Sequence, residues 1–318
     1  MRVAGIDCGT NSIRLLIADV DDRGVLSDVV RRMEIVRLGQ GVDKTGRFDA
    51  QALERTLAAV DDYAGQIAEH GCESVVFAAT SATRDAENRD VFIDGVRERL
   101  GVTPQVLSGE EEARTSFAGA ISALVSPDAP LLAIDLGGGS TELVLGSADG
   151  TVLGAYSMDV GSVRMRERQM KSDPPTTDEV AAARADVAAA LDDAEAVVDL
   201  SQARTVVGLA GTITSVAALS LGLEEYDSER IHGLDMSLGQ VEESTSWFIE
   251  APLAQREAVP FLHPKRADVI GAGALVWQEV LHRIVQRCDE AGRPLESVTI
   301  SEHDILDGLA LRAAGQLN

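Results

Sequence analysis

The 318-residue sequence has few cysteines, no long apolar segment and no low-complexity tract, and each absence excludes a class of protein. No apolar run approaches the roughly 20 residues that span a bilayer, and the amino terminus lacks the apolar stretch of a signal peptide. The three cysteines are far apart and form no CxxC pair, which excludes a disulfide framework and a zinc site. We therefore expect a cytoplasmic protein that binds no membrane.

Basic residues are also scarce relative to acidic ones. The chain has 28 Lys and Arg against 52 Asp and Glu, which gives a formal net charge of −24. This balance disfavours loose electrostatic binding to nucleic acid, and a polyanionic substrate would need local cations. With 45% hydrophobic residues, the sequence is that of a folded globular protein with enough apolar surface for two domains.

Strand and helix patterns alternate along the chain, which predicts the α/β class. Two apolar runs joined by a Gly/Asn/Ser turn predict a β-hairpin over residues 3–20. A short β-branched and aromatic run predicts a buried strand over 74–79. Ser108 and Glu111 have the spacing of a capping box, so we expect a helix from there to about Leu124.

An internal repeat is the strongest sign of the chain's organisation. Residues 5–17 (GIDCGTNSIRLLI) align without a gap with residues 133–145 (AIDLGGGSTELVL), so that Asp7 falls on Asp135. The copies are a domain's length apart, and the simplest account is two related α/β domains facing one another across a cleft.

A proline-rich stretch supplies the expected boundary between these domains. Two prolines and an aspartate within residues 126–130 favour a turn over regular structure and predict a hinge. We therefore expect an N-terminal domain over residues 1–125 and a C-terminal domain over residues 126–318.

Each copy of the repeat contains a glycine turn with exposed backbone N–H groups and small hydroxyl residues, which suit phosphate oxygens. The hydroxyl residues are Thr10 and Ser12 in the first turn, and Ser140 and Thr141 in the second. A single such turn is more typical of a tight hairpin, but the repetition favours phosphate binding. A third glycine turn, at 208–214, opens a predicted helix whose N-terminus could receive a phosphate, although close packing of helix and strand would require the same small residues.

Two aspartates end the apolar strands that precede these turns. A carboxylate there is costly to bury unless it meets a cation or hydrogen-bond donors, and a divalent metal at Asp7 and Asp135 would supply that cation. Glu142 could join Asp135 at an oxygen-ligated magnesium site. The spacing alone does not decide against ordinary structural roles. Asp135 could instead form an Asx turn, and Glu142 could face solvent from its strand.

Two further charged features have ordinary structural explanations on the residues alone. The glutamates at 110–112 lie at a predicted helix start, where anions are stabilised whatever their function. Arg84 follows a buried strand and could bind phosphate, although arginines usually lie at the surface or pair with carboxylates.

Five motifs occur in order along most of the chain: GIDCGTNSIRLLI, ATSATRDAEN, SGEEEAR, AIDLGGGSTELVLG and GLAGTIT. Together they resemble the exopolyphosphatase and guanosine pentaphosphate phosphohydrolase (Ppx/GppA) family. Its members share two ribonuclease H-like domains of the actin, Hsp70 and sugar-kinase superfamily around a phosphate-binding cleft. The chain ends near residue 318 without the HD-like C-terminal domains of longer members, so it resembles the short, two-domain form. The resemblance implies release of terminal orthophosphate from inorganic polyphosphate by magnesium-assisted attack of water.

The resemblance also implies roles for individual residues. It implies that Glu112 is the catalytic base for water, which replaces the explanation that the glutamates only stabilise the start of a helix. Asp135 and Glu142 hold magnesium, with manganese as an alternative, and Asp7 joins the metal set on the reasoning above. From the turns and the resemblance together, the expected substrate- and phosphate-binding residues are Gly9, Thr10, Asn11, Ser12, Arg84, Gly138, Gly139, Ser140, Thr141, Gly211 and Thr212.

Three other functions fit the same patterns. The nearest is removal of the 5′ γ-phosphate from guanosine pentaphosphate, because both substrates present a terminal phosphoanhydride. The second is a non-catalytic nucleotide-binding regulatory module, and the third is a sugar or acetate kinase of the same superfamily. We expect no nucleic-acid partner, and the resemblance suggests a homodimer.

Overall fold

The computed structural model describes residues 1–124 and 128–317 of the chain. The chain forms two compact units, the first made of Met1–Ser122 with His303–Asn318 and the second of Ala123–Glu302. The hinge expected at 126–130 and the domain boundary expected after residue 125 fall in part on residues 125–127, outside the described residues. Among the described residues, no helix is both long enough and apolar enough to cross a membrane.

The first unit contains a five-stranded mixed sheet. Its strands are β1 (Arg2–Cys8), β2 (Ser12–Val20), β3 (Leu26–Ile35), β4 (Ser74–Ala79) and β5 (Gln105–Val106). Their order is β3-β2-β1-β4-β5, with β1 antiparallel to β2 and parallel to β4. The hairpin predicted over 3–20 and the strand predicted over 74–79 are thereby confirmed.

Helices cover this sheet because its central strands β1 and β2 are buried along most of their length. Those of the first 122 residues are α1 (Val42–Thr45), α2 (Ala50–Glu69), α3 (Ser81–Asp85), α4 (Arg89–Leu100) and α5 (Gly109–Ser122). Ile6 and Phe77 from the sheet form one buried cluster with Tyr63 of α2 and Phe92 of α4. The capping box predicted at the start of α5 is present, and α5 ends at Ser122, close to the expected end at Leu124.

The second unit contains a six-stranded mixed sheet in the order β10-β11-β9-β6-β7-β8. Its strands are β6 (Leu131–Leu136), β7 (Thr141–Gly146), β8 (Val152–Met158), β9 (Thr205–Leu209), β10 (Asp235–Ser237) and β11 (Ser297–Ile300). Its helices are α6 (Ser162–Arg168), α7 (Thr177–Glu195), α8 (Ala210–Ser220), α9 (Ser228–Ile231), α10 (Leu238–Glu250), α11 (Leu253–Glu257) and α12 (Ile270–Glu290).

The internal repeat corresponds to the same part of each sheet. In the first unit, β3, β2 and β1 are antiparallel neighbours, and β4 pairs parallel with β1. In the second unit, β8, β7 and β6 are antiparallel neighbours, and β9 pairs parallel with β6. Both glycine turns therefore lie between the first two strands of their unit. The prediction of two related α/β domains is confirmed.

The last helix, α13 (Ile305–Ala313), belongs to the first unit. Its Leu306 and Ala310 are buried with Val3 and Leu16 on the other face of the five-stranded sheet. A Cβ atom at Gly308 would lie 2.1 Å from the backbone oxygen of Thr115, so α13 also packs tightly against α5. The expected second domain of 126–318 is therefore wrong for residues 303–318, because the first sheet needs this helix to cover its apolar face.

Candidate active site

The first hairpin pairs a buried carboxylate with an arginine. Asp7, near the end of β1, lies directly opposite Arg14 of β2. The Nε and Nη2 atoms of Arg14 donate hydrogen bonds of 3.0 and 2.7 Å to the same oxygen of Asp7, Oδ2. Burial raises the pKa of the Asp7 carboxyl, although the charge of Arg14 lowers it. The cation beside Asp7 is thus an arginine and not the metal ion expected from the sequence.

The first glycine turn is closed by a hydrogen bond of 3.0 Å from the Gly9 amide to the Ser12 carbonyl. The backbone amides of Val36 and Arg37 donate to the Asn11 carbonyl and that of Gly39 donates to the Thr10 carbonyl, which fixes the orientation of the turn. Thr10 Oγ1 and Asn11 Oδ1 are buried and have no hydrogen-bond partner within residues 1–124 and 128–317. Buried polar atoms of this kind are usually met by a ligand or by water. The turn therefore fits the expected ligand-binding role for Thr10 and Asn11. The Gly9 amide and the Ser12 carbonyl are used within the turn, and a ligand-binding role for these two residues stays a prediction.

The three glutamates at the start of α5 have different environments. Glu110 is exposed and pairs with Arg114. Glu111 completes the capping box, because its Oε2 accepts hydrogen bonds of 2.8 Å from both the amide and the hydroxyl of Ser108. Glu112 is buried with 8% of its surface exposed. Only Glu112 of the three is therefore directed into the unit.

The Glu112 carboxyl has an unusual electrostatic environment. Nη1 of Arg84 donates to Glu112 Oε2 at 2.5 Å and to the Leu107 carbonyl at 3.0 Å. Burial raises the pKa of Glu112 to about 7, although Arg84 lowers it, and the negative charge of Asp7 raises it further. A carboxyl with this pKa can exchange a proton with water near neutral pH. We expected Arg84 to contact the substrate. In the structure it binds Glu112, the expected catalytic base.

Thr80 also belongs to this group, although no motif in the sequence marks it as a site residue. It follows β4 and is buried, and its hydroxyl hydrogen bond lowers the pKa of Glu112. Its Oγ1 would lie 3.7 Å from a Cβ atom placed on Gly9. The first glycine turn, Thr80 and Glu112 are therefore neighbours in the first unit.

The second hairpin presents two carboxylates at the equivalent positions. Asp135 of β6 lies directly opposite Glu142 of β7, and both are buried. Glu142 is held from β8, where Ser157 Oγ donates a hydrogen bond of 2.7 Å to its Oε1. Like charges opposite one another across a strand pair are destabilising, so a bound cation would stabilise this pair.

The donor set at this hairpin fits magnesium. Mg²⁺ binds carboxylate oxygens and keeps several of its waters, so one or two protein carboxylates are enough. Within the described ranges, no group of three or more His, Cys, Asp or Glu could hold a metal ion. A metal at Asp135 and Glu142 would therefore keep much of its water shell.

The second glycine turn repeats the closure of the first, with the Gly137 amide donating to the Ser140 carbonyl at 3.0 Å. The first two amides of α6 donate to carbonyl groups of this turn: Ser162 to Gly137 at 3.0 Å and Val163 to Gly138 at 2.8 Å. The amides of Gly138 and Gly139 donate no hydrogen bond to the backbone among residues 1–124 and 128–317. These two amides are the groups best suited to phosphate oxygens.

Thr141 corrects one expectation about this turn. Its hydroxyl donates a hydrogen bond of 2.7 Å to the Val160 carbonyl, and its side chain is fully buried. A hydroxyl has one hydrogen to donate, so this group stabilises the hairpin and is not available to donate to a phosphate.

The third turn opens α8, as predicted for Gly211 and Thr212. A Cβ atom at Gly211 would lie 1.7 Å from Nη1 of Arg266, so the guanidinium packs directly on this glycine. Thr212 is buried, and its Oγ1 would lie 2.6 Å from a Cβ atom on Gly273. Close packing therefore accounts for the small residues. The arginine beside a helix N-terminus also favours a bound anion. The sequence carried no signal for Arg266.

Comparisons with known proteins extend along the chain. The model of the Ppx/GppA phosphatase family matches residues 16–293. A protein named exopolyphosphatase 2 from Mycobacterium tuberculosis is 48% identical over 99% of both chains. The crystal structure of an exopolyphosphatase-like protein is 45% identical, with a TM-score of 0.95 over 99% of both chains. The Ppx/GppA family member of Aquifex aeolicus is 31% identical, with a TM-score of 0.80 over 99% of this chain and 98% of its own. Both units of the fold are thus similar to those of known relatives.

Proposed function

This chain belongs to the Ppx/GppA phosphatase family, and we propose that it is an exopolyphosphatase, a phosphoanhydride hydrolase that releases terminal orthophosphate from inorganic polyphosphate. The observation that carries this proposal is Glu112, a buried carboxyl whose pKa is raised to about 7. Such a group is suited to general-base attack by water on a terminal phosphorus.

Glu112 acts on the attacking water. Its ionised carboxylate accepts a proton from the water as the new oxygen–phosphorus bond forms. The bond from phosphorus to the bridging oxygen breaks, and its electron pair leaves with the shortened chain. Arg84 holds the carboxylate in one orientation through its 2.5 Å hydrogen bond to Oε2.

The glycine turns bind the phosphate oxygens. In the first unit, the buried Thr10 hydroxyl donates to the substrate, beside Asn11. In the second unit, the amides of Gly138 and Gly139 donate hydrogen bonds to the phosphate oxygens of the substrate. Their oriented N–H groups stabilise charge without reorganisation during the reaction.

A divalent cation completes the proposal. Asp135 and Glu142 are the residues that would hold magnesium, with manganese as an alternative. When bound, the ion neutralises charge on the phosphate oxygens. A chain with a net charge of −24 has particular need of such a cation for a polyanionic substrate.

The test is orthophosphate release from short polyphosphate, long polyphosphate and guanosine pentaphosphate, measured in parallel with magnesium. We expect Glu112→Gln to lose about 10²- to 10⁴-fold in rate while still binding substrate, as is typical on removal of a general base. Glu110→Gln is the matched control, because Glu110 lies exposed in the same helix turn, and it should keep full activity.

The outcomes separate the candidate functions. Preferred release from either polyphosphate supports the exopolyphosphatase. Preferred release from guanosine pentaphosphate assigns the alternative 5′-phosphohydrolase. No release from any of the three contradicts hydrolysis and favours a nucleotide-binding regulatory module. The expected homodimer and cytoplasmic location stay predictions.

A further inference from the structure

The last helix of the chain reaches the first glycine turn through a single arginine. Arg14 donates to Asp7 through Nε and Nη2, and to Asp304 Oδ2 through Nη1. We propose that Asp304 is a positioning residue for the first turn, because it anchors Arg14 so that the guanidinium binds only one carboxylate oxygen of Asp7. This inference rests on the proposed function.

Asp304 is itself rigidly held. It is the N-cap of α13, where its Oδ1 accepts a hydrogen bond of 3.0 Å from the Leu306 amide. The Asp304 amide donates at 3.0 Å to Asp307 Oδ2, which completes a capping box. Only 3% of the Asp304 surface is exposed. One carboxylate oxygen therefore caps the helix, and the other holds Arg14.

This division fixes how Arg14 binds Asp7. Since Nη1 is engaged by Asp304, Nε and Nη2 remain for Asp7, and both donate to Oδ2. Asp7 Oδ1 accepts no hydrogen bond from the described residues. Arginine otherwise prefers to bind both oxygens of a carboxylate. Without Asp304, we expect Arg14 to rotate into that two-oxygen arrangement and occupy Oδ1.

The charges of Arg14, Asp7 and Asp304 also support a positioning role for Asp304. Two buried carboxylates share one guanidinium, so the three groups carry a net charge of −1 when all are ionised. Asp7 also acts electrostatically on Glu112. A neutral Arg14–Asp7 pair would remove that negative charge from beside the proposed base. Asp304 thus preserves both the free oxygen and the charge of Asp7.

A substitution that keeps the helix cap can isolate this role. Asp304→Asn still caps α13, because asparagine is as good an N-cap as aspartate, but its uncharged amide offers one oxygen in place of two. Asp304→Ser is a second variant that caps without charge. Asp49→Asn is the matched control, since Asp49 is the N-cap of α2 and accepts from the Gln51 and Ala52 amides.

The first readout does not depend on activity. Hydrogen exchange of the peptide covering residues 5–15 reports the order of the first turn. Loss of the Arg14–Asp304 bond frees the first hairpin from α13, so we expect Asp304→Asn and Asp304→Ser to exchange several-fold faster there. Asp49→Asn should match the unsubstituted protein. Unchanged exchange in both Asp304 variants would overturn the proposal, whether or not the protein releases phosphate.

The second readout is kinetic. We expect Asp304→Asn to lower kcat about tenfold while KM for polyphosphate changes less than about twofold. In an Arg14→Gln background, the same substitution should change kcat by less than about twofold, because Asp304 acts through Arg14. A full tenfold loss in that background would overturn the proposal. If the unsubstituted protein releases no phosphate, the proposed function fails, and the exchange result alone decides the anchoring role.

Discussion

Arg14 in the first unit occupies the position that Glu142 occupies in the second, each directly opposite the aspartate near the end of the preceding strand. The two hairpins share strand order and turn closure, but the charge at this position is opposite. The first hairpin therefore contains its own cation. The second presents two facing carboxylates, Asp135 and Glu142, where the proposed magnesium ion would bind.

This difference predicts that the metal binds at the second hairpin and not at the first. Glu142→Gln should weaken magnesium or manganese binding by at least about tenfold, because half of the charge at the site is lost. Asp7→Asn should change the affinity less than about threefold, since Asp7 is bound by Arg14 and faces no second carboxylate across its hairpin. Titration calorimetry measures both affinities. Equal losses in the two variants would show that Asp7 also ligates the metal.

Glu112 predicts the pH dependence of the rate. Its pKa is raised to about 7, and a general base acts in its ionised form. The rate should therefore be low at pH 5, rise through about pH 7 and level off above it. The check is a pH profile of kcat at saturating magnesium. A rate that is flat from pH 5 to 8 would be incompatible with Glu112 as the base.

The same shift predicts an effect on stability. Because the folded pKa of Glu112 is raised above its unfolded value of about 4.5, folding favours the protonated form, and this contribution is lost as pH rises towards about 7. Glu112→Gln cannot ionise, so above pH 7 it should be more stable than the unsubstituted protein, by on the order of 2 kcal/mol. At pH 4 the difference should vanish. Urea unfolding at pH 4 and pH 8 measures both values, and a less stable variant at pH 8 would contradict the prediction.

Ala210 predicts a stabilising substitution. It has a φ of 69°, in the left-handed region, which costs a residue with a Cβ atom roughly 1–2 kcal/mol. Ala210→Gly should relieve this strain and, after the entropic cost of glycine, stabilise the protein by about 0.5–1 kcal/mol. The control is Ala217→Gly in the same helix, which should destabilise by about 1 kcal/mol. The two should shift urea midpoints in opposite directions.

Much of the fold was predictable because the signals are local. The hydrophobic pattern of the repeat specified both hairpins, and the spacing of Ser108 and Glu111 specified the start of α5. The contact of Arg14 with Asp304 spans 290 residues and has no local signal. The place of α13 was missed for the same reason.

The candidate site was predictable in kind but not in detail. Residues 110–112 are identical in type, and only the rotation of the helix directs Glu112 inward while Glu110 faces solvent. The hydroxyls of Thr10 and Thr141 look equivalent in the sequence. One is buried without a partner among the described residues, and the other binds the Val160 carbonyl. Such differences depend on packing from elements far along the chain.

The use of α13 in the first unit sets an order for folding during translation. Residues 123–302 are continuous, so the second unit can fold while the nascent chain is still attached to the ribosome. The first unit, although synthesised earlier, lacks the cover of one sheet face until residues 303 onward have emerged. Arg14 likewise meets Asp304 only then. A prematurely terminated chain would expose apolar surface to chaperones and proteases before it could hydrolyse anything.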